Sequence, residues 1–272
     1  MKLIASHTAC RGCGHPLIPI FSLGSLCVSN FVDGQESEEN QEKFPLELML
    51  CNASDGGCSL LQLKDTVSQE AMYRNYWYRS GINRTMVDEL TGIAKTLERA
   101  VSLADGEYVL DIGANDGTLL RAYTAPDVRL IGYEPARNLG QYNAKGTTKV
   151  VADFFGAASW RKEFGDAKAK VVTAIAMFYD LEDPNAFVAD VASILDPNGM
   201  FVIQQSYLPL MLSTNEIGNI CHEHIEYYSL LSLENILKRH GLEVFDAELN
   251  DINGGSFRTY IRHVGKGASI RI

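Results

Sequence analysis

Between residues 108 and 206 the chain alternates short apolar runs with amphipathic stretches so regularly that few folds remain open to it. The apolar runs read as strands over 108–112, 129–133, 149–152, 170–176 and 199–206. The stretches between them read as helices over 117–124, 136–145, 157–164 and 184–195. Strand and helix repeated at this spacing specify an α/β chain with a doubly wound parallel sheet. Ligands of such sheets sit just beyond the carboxyl ends of the strands. The segments there are Asp111 to Gly117, Glu134 to Ala136, Asp153-Phe154-Phe155, Met177-Phe178-Tyr179-Asp180 and Gln204-Gln205-Ser206-Tyr207.

The first segment says most about the ligand. Val109-Leu110-Asp111-Ile112 is a buried strand, Gly113 opens a tight turn, and Gly117 precedes Thr118-Leu119-Leu120. Glycine lets the backbone turn sharply and come close to a ligand, whose natural form here is a nucleoside-shaped cofactor. A dinucleotide loop needs G-x-G-x-x-G around its pyrophosphate. This chain offers D-x-G-x-x-x-G, with acids at Asp111 and Asp116 that repel a pyrophosphate and suit a positively charged cofactor. The next strand ends at Glu134, an acid placed to accept hydrogen bonds from both hydroxyls of a ribose. Asp153 is placed to meet an adenine amino group, with Phe154 against the ring face; a helix cap is the equally available reading of Asp153. The bland alternative for the whole loop is a strand-turn-helix with no ligand.

A formal charge of -10 with no basic block argues against nucleic acid as a partner. No run of about eighteen apolar residues is present. Cys10, Arg11 and His15 interrupt any leader-like segment, so a soluble, cytoplasmic protein that does not span a membrane is expected. The acidic run Glu36 to Glu42 reads as a solvated loop.

Six cysteines in a cytoplasmic chain read as metal ligands or thiols rather than disulfides. Cys10 and Cys13 have knuckle spacing, and Cys51 and Cys58 form a wider pair whose intervening Asn52 to Gly57 can bulge. These four are assigned to a structural zinc; a redox pair or reduced thiols is the alternative, with His7 and His15 as spare ligands. Cys27 sits in a strand-like run and reads as core. The aromatic cluster from Tyr73 to Gly81 is core or interface on the plain reading, and on the functional one a lid presenting tyrosine hydroxyls to a polar substrate. Apolar residues from Met86 to Val101 follow helical spacing within 85–104.

Beyond the fifth strand, His222-Glu223-His224 with Cys221 before it and Tyr227-Tyr228 after it is the densest titratable group in the chain. An acid/base site is the favoured reading. A second metal site on Cys221, His222 and His224, or satisfied structural histidines, are the alternatives. A helix over 232–240 and a strand pair, 242–250 and 256–263, close the sequence around Asn253-Gly254-Gly255.

With these residues assembled, the chain resembles the sugar C-methyltransferases that carry an N-terminal zinc-binding domain, a central S-adenosylmethionine (SAM) domain and a C-terminal substrate domain. The resemblance rests on the cysteine pairs with Phe44-Pro45-Leu46, the Tyr76 to Gly81 segment, Asp111 to Gly117, Glu134-Pro135, His222-Glu223-His224 and Gly254-Gly255-Ser256-Phe257-Arg258. It implies a zinc-binding domain over 1–66, a Rossmann-like class I methyltransferase sheet with a helical lead-in over 67–206, and a short C-terminal extension over 207–272 as a partial substrate region. It implies SAM and Zn2+ as cofactors and a nucleotide-linked 4-keto-deoxysugar as the small-molecule substrate, methylated beside its ketone. SAM contacts then fall to Asp111, Gly113, Asn115, Gly117, Glu134, Asp153, Phe154, Met177 and Phe178. Carried over by position, His224 takes the proton from the substrate carbon within the His222-Glu223-His224 group, and Tyr76 or Tyr78 meets the sugar or the developing enolate. The chain departs from the family at Cys221, where a tyrosine is the rule, and by ending soon after the Gly-Gly-Ser-Phe-Arg segment, so a truncated or shorter relative is expected. Other readings are O- or N-methylation of a small polar acceptor, and a SAM- and zinc-binding module without turnover.

Overall fold

The computed structural model describes residues 4–28 and 42–266. Except for Glu42, the acidic run Glu36 to Glu42 lies outside the described residues. Among the described residues thirteen strands form: β1 (Ile4–Ser6), β2 (Ile18–Cys27), β3 (Lys43–Leu50), β4 (Leu61–Leu63), β5 (Asp65–Val67), β6 (Tyr108–Ile112), β7 (Arg129–Tyr133), β8 (Lys149–Val151), β9 (Ala169–Ile175), β10 (Leu195–Ser206), β11 (Glu226–Tyr227), β12 (Leu242–Asn250) and β13 (Ser256–His263). The helices are α1 (Gln69–Tyr73), α2 (Arg84–Ala100), α3 (Gly140–Asn143), α4 (Ala157–Phe164), α5 (Pro184–Ile194), α6 (Leu208–Thr214) and α7 (Leu230–Arg239).

The main sheet has seven strands in the order β12-β13-β10-β9-β6-β7-β8. β10, β9, β6, β7 and β8 run parallel, and the strand pair β12–β13 joins the β10 edge antiparallel. Residues 242–263 are therefore strands of the same sheet as residues 108–206. Successive strand residues face opposite layers, and here both layers are apolar. Val109, Val171, Met200 and Val202 pack with Leu90, Ile93, Ala94 and Leu97 of α2. Leu110, Ile112, Val172, Phe201 and Ile203 pack with Trp160 of α4, Val188 and Val191 of α5, and Leu237 of α7. The chain enters the sheet at β6 and moves outward to β7 and β8 before crossing to β9, which places the switch point at the carboxyl end of β6.

Two expected helices shrink. The stretch 117–124 holds a single turn at Leu120–Ala122, because Pro126 follows within a few residues and so short a segment has too few hydrogen bonds to offset nucleation. The stretch 136–145 becomes a turn at Arg137–Leu139 and the four-residue α3, bounded by Gly140 and Gly146. α2 covers the sheet instead, started by Asn83, whose side chain accepts from the Met86 amide.

Residues 4–28 and 42–67 form a second body of sheet. β2, β3 and β4 meander antiparallel, β1 pairs with β5, and β11 adds to the free side of β4. Leu46, Leu48 and Leu63 share a small core with Met211, Ile225 and Tyr227. No helix among the described residues is long and apolar enough to cross a membrane.

Candidate functional site

At the carboxyl ends of β6, β7 and β9 lies a cavity of about 870 Å³, walled on its outer side by residues 73–83 and on its far side by residues 216–224. Gly113, Glu134, Phe154, Met177, Tyr76 and His224 all line it. The strand-end loop, the aromatic segment and His224 therefore share one chamber.

The end at β6 and β7 is acidic and tightly ordered. Asp111 is buried and accepts from Thr173 Oγ1 at 2.6 Å. Burial pushes its carboxyl up to about 7, partly offset by the Thr173 hydroxyl. Glu134 accepts from the amides of Asn115 (2.8 Å) and Ala136 (2.7 Å), and burial again lifts its carboxyl to about 7 against those two bonds. Gly113 has φ +71°, and a Cβ there would lie 3.1 Å from Met177 Cγ, so only glycine keeps this wall clear.

The lining contains no lysine or arginine among the described residues. A pyrophosphate would meet carboxylates with no cation to hold it, whereas a nucleoside bearing positive charge meets the acids it needs. The residues fit SAM on this ground. Asp111, Gly113, Asn115, Glu134, Phe154 and Met177 are brought together at this end.

Four residues singled out in the sequence take other places. Phe178 is fully buried in the core against Phe187 and Tyr228, because its side chain points down into the layer under the sheet rather than up into the cavity. Gly117 lies outside the cavity wall; it has φ +79° and lies where a Cβ would strike Arg121 and the Asn143 backbone, so it serves the turn. Asp153 binds its own neighbour's amide (Phe154 N, 2.9 Å) and pairs with Arg74 at 3.1 Å. Asp116 accepts from Gly81 N at 2.9 Å and Thr118 Oγ1 at 2.6 Å, so its charge fastens the aromatic segment.

That segment is clamped as well as aromatic. Asn115 accepts from Ser80 N (2.9 Å) and donates to Tyr78 O (3.1 Å), while Asn138 exchanges two bonds with the Tyr76 backbone (3.0 and 2.7 Å). A Cβ on Gly81 would sit 2.6 Å from Asp116 Oδ2, so glycine is required there. Tyr73, Tyr76, Trp77 and Tyr78 thereby form the cavity's outer wall.

At the far side, His224 Nδ1 is 2.9 Å from the Asn219 carbonyl, and its ring packs against Tyr179 with centroids 4.3 Å apart. A carbonyl only accepts, so Nδ1 carries the hydrogen and Nε2 keeps its lone pair. Glu223 lines the same wall, receives the Tyr76 hydroxyl at 3.4 Å, and is held above the usual carboxylate range by burial. His222 does not join them: it is buried, with Nε2 3.1 Å from the Phe44 carbonyl and its ring edge-on to Phe44. Residues 221–223 form bends rather than strand, so the side chains at i and i+2 part: His222 turns to Phe44 while Glu223 and His224 face the cavity. Asn219 and Asp180 had no role assigned from sequence. Asn219 acts through its backbone, which leaves no side-chain signal, and Asp180 stood in a flagged segment without a partner to mark it.

Away from the cavity, Cys10, Cys13, Cys51 and Cys58 place their sulfurs within 4.8 Å of one another. Cys10 and Cys58 are 3.5 Å apart, and Cys13 and Cys51 3.3 Å. Four thiolates around one zinc stand about 3.8 Å apart for bonds of about 2.3 Å, so this cluster fits a closed tetrahedral site. The Cys58 amide points at Cys51 Sγ (3.2 Å), and Gly57 is needed because a Cβ there would lie 2.6 Å from that sulfur. No second cluster of metal-ligating side chains forms among the described residues, and His7, His15 and Cys27 are outside this one.

Residues 78–247 match a family described as a methyltransferase domain, and residues 10–73 match one described as a zinc binding domain. The C-methyltransferase NovU of Streptomyces niveus is 28% identical over 250 residues, covering 91% of this chain and 59% of NovU, so the chain spans about three-fifths of that curated relative. Among solved structures, the complex of the Haloferax volcanii Trm112 methyltransferase activator with a methyltransferase contains a chain superposing with TM-score 0.53 at 18% identity, over 67% of this chain and 94% of that one. Magnesium protoporphyrin IX methyltransferase (ChlM) from Synechocystis PCC 6803 with bound SAH gives 0.50 at 14% identity, over 66% and 88%. At these identities the solved structures speak to the fold alone.

Proposed function

The chain belongs to the methyltransferase domain family, with SAM and zinc as its cofactors, and on that premise we propose that it moves a methyl group from SAM to a carbon beside the ketone of a nucleotide-linked deoxysugar. One observation carries base-assisted proton removal from the acceptor. His224 Nε2 is free to take a proton and lines the same chamber as the acidic cofactor end, with Nδ1 fixed by Asn219.

A carbon next to a ketone is weakly acidic, so a base must act while the oxygen is stabilised. His224 takes that proton. Its ring cannot swing, because Tyr179 packs against it and the Asn219 carbonyl holds Nδ1. Bound SAM supplies an electrophilic methyl group through its sulfonium charge. Glu134 holds the ribose through carboxylate oxygens already oriented by two amides, Asp111 sets the charge of the pocket floor, and Phe154 and Met177 shape the walls. Tyr76 and Tyr78 close the chamber from outside and exclude water around the acceptor. Residues 1–66 then form the zinc-held support, 67–206 the SAM domain, and 207–272 the acceptor side. The identity of NovU as a C-methyltransferase supports carbon over oxygen or nitrogen as the acceptor.

His224→Ala is expected to keep SAM affinity and to slow solvent deuterium exchange at the ketosugar α-carbon by about 10²-fold or more. Unchanged exchange would remove His224 as the base, and lost SAM affinity would place it in the cofactor site.

A further inference from the structure

We propose that Asp180 is a further catalytic residue, whose carboxylic acid form donates a hydrogen bond to the acceptor's carbonyl oxygen. The inference rests on the acceptor reading above, since it needs a carbonyl in the chamber.

Asp180 closes the turn Phe178–Asp180 that follows β9. Its backbone is fixed at both ends, by its amide to Met177 O (3.1 Å) and by Gln69 Nε2 to its own carbonyl (2.8 Å). The side chain lines the cavity, and its Oδ1 is shut from water with no hydrogen-bond partner. A buried polar atom left unpaired in a cavity wall is costly unless a ligand completes it.

Its surroundings favour the neutral acid. Tyr73 approaches from α1, Tyr76 from the clamped segment, Tyr179 from its own turn, and Cys221, Glu223 and His224 from the far wall. Glu223 repels a second negative charge, the cavity lining has no lysine or arginine among the described residues, and only His224 and the Tyr73 hydroxyl draw Asp180 toward ionisation. Burial dominates and lifts the carboxyl well above its usual range. A carboxylic acid kept neutral in an apolar site is an effective donor to an oxyanion.

Three nearby donors have protein acceptors. The Tyr73 hydroxyl goes to the Glu223 carbonyl (3.3 Å), the Tyr76 hydroxyl to the Glu223 carboxylate (3.4 Å), and His222 to Phe44. Asp180 is left to face the substrate oxygen. As the C–H bond breaks, its proton goes to His224 Nε2 and its electron pair forms the C=C bond. The carbonyl π pair moves onto the oxygen, which the Asp180 O–H holds. Positive charge growing on His224 then eases the shift of the Asp180 hydrogen toward that oxygen.

The test compares wild type, Asp180→Asn and Asp180→Ala as full zinc- and SAM-loaded chains, with thymidine-diphosphate-4-keto-6-deoxyglucose as the probe. Equal thermal shifts by SAM check that the variants fold. The infrared difference between wild type and Asp180→Asn near neutral pH should contain the carbonyl band of a protonated carboxylic acid. Asn keeps a donor, so its α-carbon deuterium exchange should stay within about tenfold of wild type, while Ala falls by about 10²–10³-fold. The alkaline loss of rate in wild type should vanish in Asp180→Asn. A difference spectrum with only carboxylate bands, or Asn as slow as Ala, overturns the proposal. If wild type leaves the probe unexchanged, the acceptor class is wrong, and the infrared band still decides whether Asp180 holds its proton.

Discussion

Burying a carboxylate is costly, and this chain buries two at the ends of adjacent strands. Asp111 and Glu134 stand near 7 because burial outweighs the hydrogen bonds each receives. An unfolded chain would release those protons near pH 4, so the fold binds them more tightly than the unfolded state does. Their contribution to stability is therefore present in full below about pH 4 and is lost as pH rises through about 7. The melting temperature of the ligand-free protein should fall over that window, and Glu134→Gln should flatten the slope. A slope unchanged by the substitution would show that Glu134 is ionised in the free fold. Gly113, Asp111, Glu134 and His224 could be singled out because each stands in a motif local in sequence, and all four line the cavity, whereas Gly117, Asp116 and Asp153 are drawn into turns and side-chain bonds. The fates of His222 and Phe178 were not legible, since which way each side chain points depends on neighbours far away in sequence, Phe44 for one and the α5 layer for the other.

Two residues of strand connect the metal region to the chamber. β11 begins two residues after His224 and pairs with β4, three residues beyond Cys58. The Arg11 guanidinium donates to Leu63 O (2.7 Å), and Asn185 at the start of α5 donates to the Arg11 and Gly12 carbonyls (2.8 and 2.9 Å). Zinc at the four cysteines thus braces β4, and through β11 the wall carrying His224. Chelation should release one zinc per chain, lower the melting temperature by about 5–10 °C, and abolish α-carbon exchange while SAM still binds at β6 and β7. Exchange that survives zinc loss would make the metal irrelevant to the wall. Four of the parallel strands matched expectation within a residue at each end, since apolar runs leave little choice, while β10 begins at Leu195, four residues before the expected start. The stretch 117–124 misled because its apolar spacing is helical, while Pro126 and the side-chain bonds of Asp116 and Arg121 hold it as a turn.

At the scale of the molecule, charge and topology agree. The chain carries a net -10, and its cavity gathers carboxylates with no lysine or arginine among the described lining residues. The switch point at β6 puts that chamber between the strand ends and the aromatic segment, with Glu223 and His224 on the opposite wall. The strand pair β12–β13 was legible as a pair, but its place beside β10 was not, because register against a distant strand leaves no local pattern. Titration calorimetry with SAM at about pH 6 and about pH 8, in buffers of different ionisation enthalpy, examines the charge logic of the chamber. SAM should bind with release of protons at the lower pH and more tightly at the higher one, and its demethylated product, which lacks the sulfonium charge, should show less of both. Indifference to SAM alongside tight binding of a nicotinamide or flavin dinucleotide, or proton uptake on SAM binding, would contradict it.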